Sequence, residues 1–205
     1  MVRRTLTTGG SRLNAGPPRL FFLTDLSRVP DPAAAAMRLP RGAGIVLRDA
    51  GHPDRARIGV RLGEIARRRG LFLLVSGDEA LAARLKADGL HLPEAEVSRA
   101  PAIRRRRPRW LMTGAAHSRR ALFRARAFRL DMAFLSPVFP TQSHAGAPAL
   151  GPLRFRAMAA GAGIPVVALG GIDGRTAGRL PPVAGIAAIG ALAAGMPAPF
   201  RRRCW

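Results

Sequence analysis

The sequence predicts a single α/β domain of the compact (β/α)8 TIM barrel class. Three observations carry this. Eight short apolar runs are continuous rather than alternating, as strands covered on both faces require. Longer amphipathic or Ala/Arg-rich segments separate them, giving a repeated strand–helix order. Gly-rich turns follow the seventh and eighth runs, at Gly170-Gly171 and at Gly190. A doubly wound open sheet is the structural alternative, and the count of eight favours the barrel.

Residues 1–18 read as a flexible basic tail rich in Gly, Ser, Pro and Arg, residues 19–196 as the barrel, and residues 197–205 as a basic C-terminal tail. The expected strands are Leu20–Leu23, Gly44–Leu47, Leu71–Val75, Gly89–Leu92, Trp110–Met112, Met132–Leu135, Val166–Leu169 and Gly185–Ile189. The expected helices are Pro32–Arg38, Asp54–Arg69, Asp78–Lys86, Ala95–Arg107, Ser118–Phe128, Leu153–Ala162, Arg175–Leu180 and Ala191–Ala194. Asp31 and His117-Ser118 stand where an N-cap is needed. Val183–Phe200 is uncharged, but its glycines and prolines make a poor membrane helix. Met1–Pro18 has no apolar core of a signal peptide, so a cytoplasmic location is expected.

Of the 205 residues, 48% are hydrophobic, enough to bury a core and too many for a disordered chain. The lone Cys204 excludes a disulfide framework, and with four scattered His it argues against a closed structural metal site. The formal net charge is +22, with Lys86 the single lysine. That charge suggests a polyanion. The arginines, however, are spread over expected helix faces and termini, so solvated surface is the preferred reading and polyanion binding the alternative. Neither nucleic acid nor a membrane is therefore expected as a partner, and homo-oligomerisation is left open.

In a barrel, chemistry sits at the C-terminal ends of the strands. Gly170-Gly171 lets backbone approach a ligand closely, and Gly190 opens another turn after strand eight. Together with Ile189 they read as a phosphate cradle, or else as a pair of tight turns. The loop after strand six offers Thr141, Gln142, Ser143 and His144 for hydrogen bonds to a phosphate or diphosphate. Arg48 directly follows strand two, where a guanidinium can clamp an oxyanion. His117 follows strand five and is either a general acid/base or a helix-cap residue. His91 lies inside strand four and reads as a hydrogen-bonded barrel residue.

Several segments resemble the thiamine phosphate synthases and their relatives, the TenI-type thiazole tautomerases. These are RLFFLTD at Arg19–Asp25, LRDA at Leu47–Ala50, ADGLHLPEAE at Ala87–Glu96 and AAHS at Ala115–Ser118, with SPVFPTQSH at Ser136–His144 and VVALGGI at Val166–Ile172 the most specific. The resemblance covers roughly Leu20–Ala194. It implies binding of a phosphorylated thiazole and its coupling to hydroxymethylpyrimidine diphosphate, with diphosphate released and Mg²⁺ assisting. A tautomerase would need no metal and would use His117 for proton transfer.

Carried over by position, the thiazole-phosphate side at Gly170, Gly171, Ile189 and Gly190 is kept. The diphosphate side departs from the family. Gln-Leu-Arg-Glu-Lys after strand two stands here as Val46, Leu47, Arg48, Asp49, Ala50. Asn-Asp after strand three becomes Ser76 and Gly77, with Asp78 adjacent. Gly-Gln-x-Asp becomes Pro93, Glu94, Ala95, Glu96, and a Ser after strand five becomes Ala115. Thr-x-Thr-Lys becomes Thr141, Gln142, Ser143, His144. The resemblance thus implies Arg48 and His117 as catalytic candidates. It implies Ser76, Thr141, Ser143 and His144 as substrate ligands, and Asp78 and Glu96 as the remaining metal ligands. Three functions follow: a synthase, a thiazole tautomerase, or a non-catalytic relative that binds a phosphorylated ligand or a polyanion.

Overall fold

A computed structural model describes residues 16–141 and 148–193. Eight parallel strands close into a barrel in sequence order: β1 (Leu20–Leu23), β2 (Gly44–Leu47), β3 (Phe72–Ser76), β4 (Gly89–Leu92), β5 (Leu111–Ala116), β6 (Met132–Leu135), β7 (Val166–Ala168) and β8 (Gly185–Ala188). β1 closes the ring by pairing with β8 through Leu20 and Ile186. The continuous apolar runs are explained by burial on both sides, since Leu20 to Leu23 are all at most 1% exposed. Phe21 and Phe134 meet edge to face at 4.8 Å inside the barrel. Gly44 makes room for this packing, because a Cβ there would lie 2.5 Å from the Phe21 ring.

Among the described residues, seven helices cover the sheet: α1 (Pro32–Arg38), α2 (Arg55–Arg69), α3 (Glu79–Arg84), α4 (Ala100–Arg106), α5 (Arg119–Ala127), α6 (Gly151–Ala160) and α7 (Gly190–Ala193). Asp31 and Ser118 cap α1 and α5, each accepting backbone N–H bonds from the first turn. α2 ends on Gly70 at φ +67°, with Arg67, Arg68 and Arg69 in its last turn against the negative end of the dipole.

Three elements differ from the sequence expectation by more than one or two residues at an end. β5 runs on through Thr113 to Ala116, because these residues pair in register with Met132 to Leu135 of β6. The helix expected over Ala95–Arg107 splits into a 3-10 turn, Glu94–Arg99, followed by α4. The helix expected over Arg175–Leu180 shrinks to a 3-10 turn, Ala177–Arg179, with Gly178 inside it and Pro181-Pro182 just beyond. No helix among the described residues is long and apolar enough to cross a membrane. The tail boundary at 196 and Cys204 lie outside the described residues.

Candidate active site

The C-terminal mouth of the barrel holds a cavity of about 460 Å³ between the ends of β1, β2, β6, β7 and β8. Its β6–β8 side is built by two loops bonded to each other. Val138 N–H donates to the Leu169 carbonyl at 2.9 Å, and Phe139 N–H to the Gly170 carbonyl at 3.0 Å. The two glycines are fixed by this packing. At Gly170 (φ +95°) a Cβ would stand 2.7 Å from Pro137 Cα, and at Gly171 (φ +62°) 2.4 Å from the Pro140 carbonyl oxygen. Their first task is therefore to let the β6 loop lie on the β7 loop, and the ligand-facing role read from sequence rests on that. Asp173 ties the next turn, accepting N–H bonds from Arg175 at 2.8 Å and Thr176 at 2.9 Å. Those bonds, the Thr176 one foremost, hold its carboxyl below the usual range. Thr176 in turn donates its hydroxyl to the Gly171 carbonyl at 2.9 Å.

Arg48 reaches the same cavity from β2. Its Nη2 lies 3.3 Å from Asp25 Oδ2. Its backbone N–H donates to the hydroxyl of fully buried Thr24 at 2.9 Å. The Thr24 hydroxyl donates in turn to Asp49, which also accepts from Leu26 N–H at 2.8 Å. Asp49 thus ties β1 to β2 and sets where Arg48 starts. Below this mouth lies His91, 5% exposed, with Nδ1 2.9 Å from Thr113 Oγ1 and its ring 4.8 Å from Phe134. Burial first, and the nearby Arg48 cation second, push its imidazole down to about 4. It is a neutral floor residue, as its place inside the strand suggested.

His117 is exposed at the end of β5 and does not line the cavity. Its Nδ1 lies 3.0 Å from the Ser136 carbonyl and 3.3 Å from Ser136 Oγ, while its backbone N–H donates to Glu94 Oε2 at 2.8 Å. Ser136 does line the cavity, so His117 stands one residue behind the wall.

Of the other expected ligands, Thr141, Gly170, Gly171, Ile189 and Gly190 all line the cavity. Ser143 and His144 lie outside the described residues. Ser76 does not reach the cavity wall; its carbonyl accepts from Arg55 Nη2 at 2.5 Å.

The two acids expected as metal ligands each have a local partner. Asp78 caps α3 through Oδ1, which accepts Leu81 N–H at 2.8 Å, and its Oδ2 faces Arg55 Nη1 at 3.6 Å. Glu96 is paired with Arg99, whose Nη1 also bonds the Gly77 carbonyl at 3.3 Å. Among the described residues no three His, Cys, Asp or Glu gather as a metal donor set.

Three lining residues carried no distinct sequence signal: Arg28, Arg179 and Thr176. The two arginines are hidden by the abundance of their kind, and only the fold selects them.

A sequence profile described as Thiamine monophosphate synthase matches residues 23–192. The chain is 29% identical over 160 residues to the "Putative thiamine-phosphate synthase 2" of Aquifex aeolicus, covering 76% of this chain and 86% of that protein. It is 36% identical over 134 residues to the "Thiamine-phosphate synthase" of Chromobacterium violaceum, covering 64% and 62%. Among solved structures, a thiamine phosphate pyrophosphorylase from Pyrococcus furiosus superposes with a TM-score of 0.74 at 24% identity over 91% of each chain, a likeness of fold.

Proposed function

This chain belongs to the thiamine monophosphate synthase family, and on that premise we propose that it joins a phosphorylated thiazole to hydroxymethylpyrimidine diphosphate. The observation that supports the proposal is that Arg48 and the Gly170-Gly171 turn line one cavity at the barrel mouth. The thiazole phosphate lies along the β7 and β8 turns. The bond between the pyrimidine methylene and the diphosphate oxygen breaks, with its electron pair leaving on oxygen. The thiazole nitrogen then bonds the methylene, and no proton has to move. Arg48, anchored by Asp25 and by the Thr24–Asp49 link, stabilises the charge that develops on the leaving diphosphate. Neutral His91 keeps the floor uncharged.

A second reading is favoured by the bond from His117 Nδ1 to the Ser136 carbonyl. In that reading His117, next to the cavity residue Ser136 and not itself on the wall, removes a proton from a thiazole carboxylate phosphate and returns it elsewhere on the ring.

The test is an assay of the full chain with both phosphorylated substrates, in Mg²⁺ and in EDTA. Thiamine phosphate and diphosphate in equal amounts are expected. No product from protein shown to be folded and to bind thiazole phosphate overturns the synthase reading. Isomerisation of the thiazole alone, lost in His117→Ala, would establish the second.

A further inference from the structure

Arginines that are spread along the sequence become one-sided in the fold. The helices run back from the mouth, so their last turns and the turns leading into the next strands build the opposite face of the barrel. Of the 12 acids, all but Glu64, Asp88 and Asp131 stand on the mouth side, in loops after strands or in helix caps and first turns. Glu64 lies within α2. On the far face, Asp88 accepts Leu73 N–H at 2.9 Å, and Asp131 accepts Met112 N–H at 2.7 Å and Arg104 Nη2 at 2.8 Å.

Five consecutive turns around that far face carry exposed cations. They are Arg41 before β2, Arg67 to Arg69 before β3, Lys86 before β4, Arg109 before β5 and Arg129 before β6. Among the described residues none of these cations is in an ion pair. Backbone holds two of them instead. Arg69 Nη2 donates to the Leu39 carbonyl at 3.2 Å, and Arg41 lies along Gly70, with Cζ 3.3 Å from where a Cβ would stand. The ends of α1 and α2 thus join in one guanidinium cluster. A helix C-terminus is offset by about half a positive charge, whereas α2 alone brings Arg67, Arg68 and Arg69 to its end. The rest of the ring, residues 161–165 and 181–184, carries no charge. The cations therefore form a crescent. With helices packed about 10 Å apart, it spans on the order of 40 Å.

We propose that this crescent, from Arg41 round to Arg129, is a docking surface for nucleic acid, gripped by its phosphates and without regard to base sequence. A duplex carries one negative charge per about 1.7 Å of axis, so a rod laid along the crescent meets several guanidinium groups at once. A membrane fits less well. Of the large exposed hydrophobic residues only Met37 lies near this face, in the last turn of α1, so an apolar anchor is missing among the described residues. The surface is opposite the mouth and independent of the synthase reading.

Fluorescence anisotropy of the full chain with a labelled mixed-sequence DNA duplex of about 20 base pairs tests it. One phosphate contact per turn gives a slope of log K against log salt of about −4.5, and an affinity loss of about 500-fold between about 50 and 200 mM salt. Two double variants, Arg67→Gln with Arg68→Gln and Arg109→Gln with Arg129→Gln, should each weaken binding about tenfold and make the slope shallower by about 1 to 2. The control is Arg119→Gln with Arg120→Gln, which removes the same charge from the exposed first turn of α5 on the mouth side and should change affinity less than about twofold. All variants keep the arginines of residues 1–15 and 201–203, so a selective loss reports the face. Circular dichroism melts confirm that each variant is folded. Equal weakening by face and control pairs, or a slope shallower than about −2, overturns the proposal. Tighter binding to phosphatidylserine vesicles than to duplex, at equal phosphate concentration and salt, also overturns it.

Discussion

The two halves of the barrel mouth treat charge in opposite ways. On the β6–β8 side, two loops are locked together by backbone bonds and by glycines that admit no side chain. They leave a cavity in which arginines outnumber acids. On the β3–β4 side the acids are present, but arginines and a helix cap have already claimed them. The difference teaches that the same residue types serve differently on the two rims, lining a cavity on one and pairing with each other on the other. Arg55 faces Asp78 and Arg99 faces Glu96 on this rim.

The largest effect that sharpens this contrast is expected in activity. Arg48→Ala should lower thiamine phosphate formation about 100-fold or more, because it removes a donor aimed at developing charge. Its melting temperature should stay within a few degrees, since the Asp25 pair is partly solvated. Steady-state kinetics beside a thermal melt separates the two.

Next come the glycines. Gly170→Ala meets Pro137 backbone at a positive φ and should cost about 2–4 kcal/mol, read from urea denaturation. Gly77→Ala on the other rim shares a positive φ of +73°, but its nearest atoms are 3.8 Å away. It should cost about 1 kcal/mol. Equal costs would show that the two rims are packed alike.

The pH dependence of stability is of similar size. The folded His91 titrates near 4, below its ordinary 6.5. Between those values the unfolded chain binds a proton that the folded chain refuses. Its contribution is therefore fully present above pH 6.5 and falls as pH drops towards 4, by about 3 kcal/mol in all. Urea midpoints across this window should show the fall, and His91→Asn should flatten it.

The smallest effect concerns the cap. Asp78→Ala should lose about 1 kcal/mol, whereas Asp78→Asn keeps the cap and should match the wild type within about 0.5 kcal/mol and in product formation. A large loss of activity in Asp78→Asn would restore this residue as a metal ligand.

Much of the fold was legible because eight doubly buried strands leave continuous apolar runs. β1, β2, β4 and β6 coincide with their runs end for end. β5 was cut short because Thr113, Gly114 and Ala115 carry little apolar signal, although the strand pairing includes them. The glycine turns, Arg48 and Thr141 were legible from strand ends and now share one cavity. Arg28 and Arg179 were not, since nothing local distinguishes them among 34 basic residues. Nor were the pairings of Asp78 with Arg55, which joins the N-terminus of α2 to that of α3, and of Asp49 with Thr24 across two strands. Long-range pairing of side chains is set by the closed barrel and leaves no periodic trace.

A crystal structure of the full chain with thiamine phosphate and pyrophosphate tests the central claim most directly. The account expects both phosphate groups in the cavity bounded by Arg28, Arg48, Gly170 and Arg179, with Asp78 still capping α3. Pyrophosphate seated instead on a metal held by Asp78 and Glu96, with their arginine partners displaced, would contradict it.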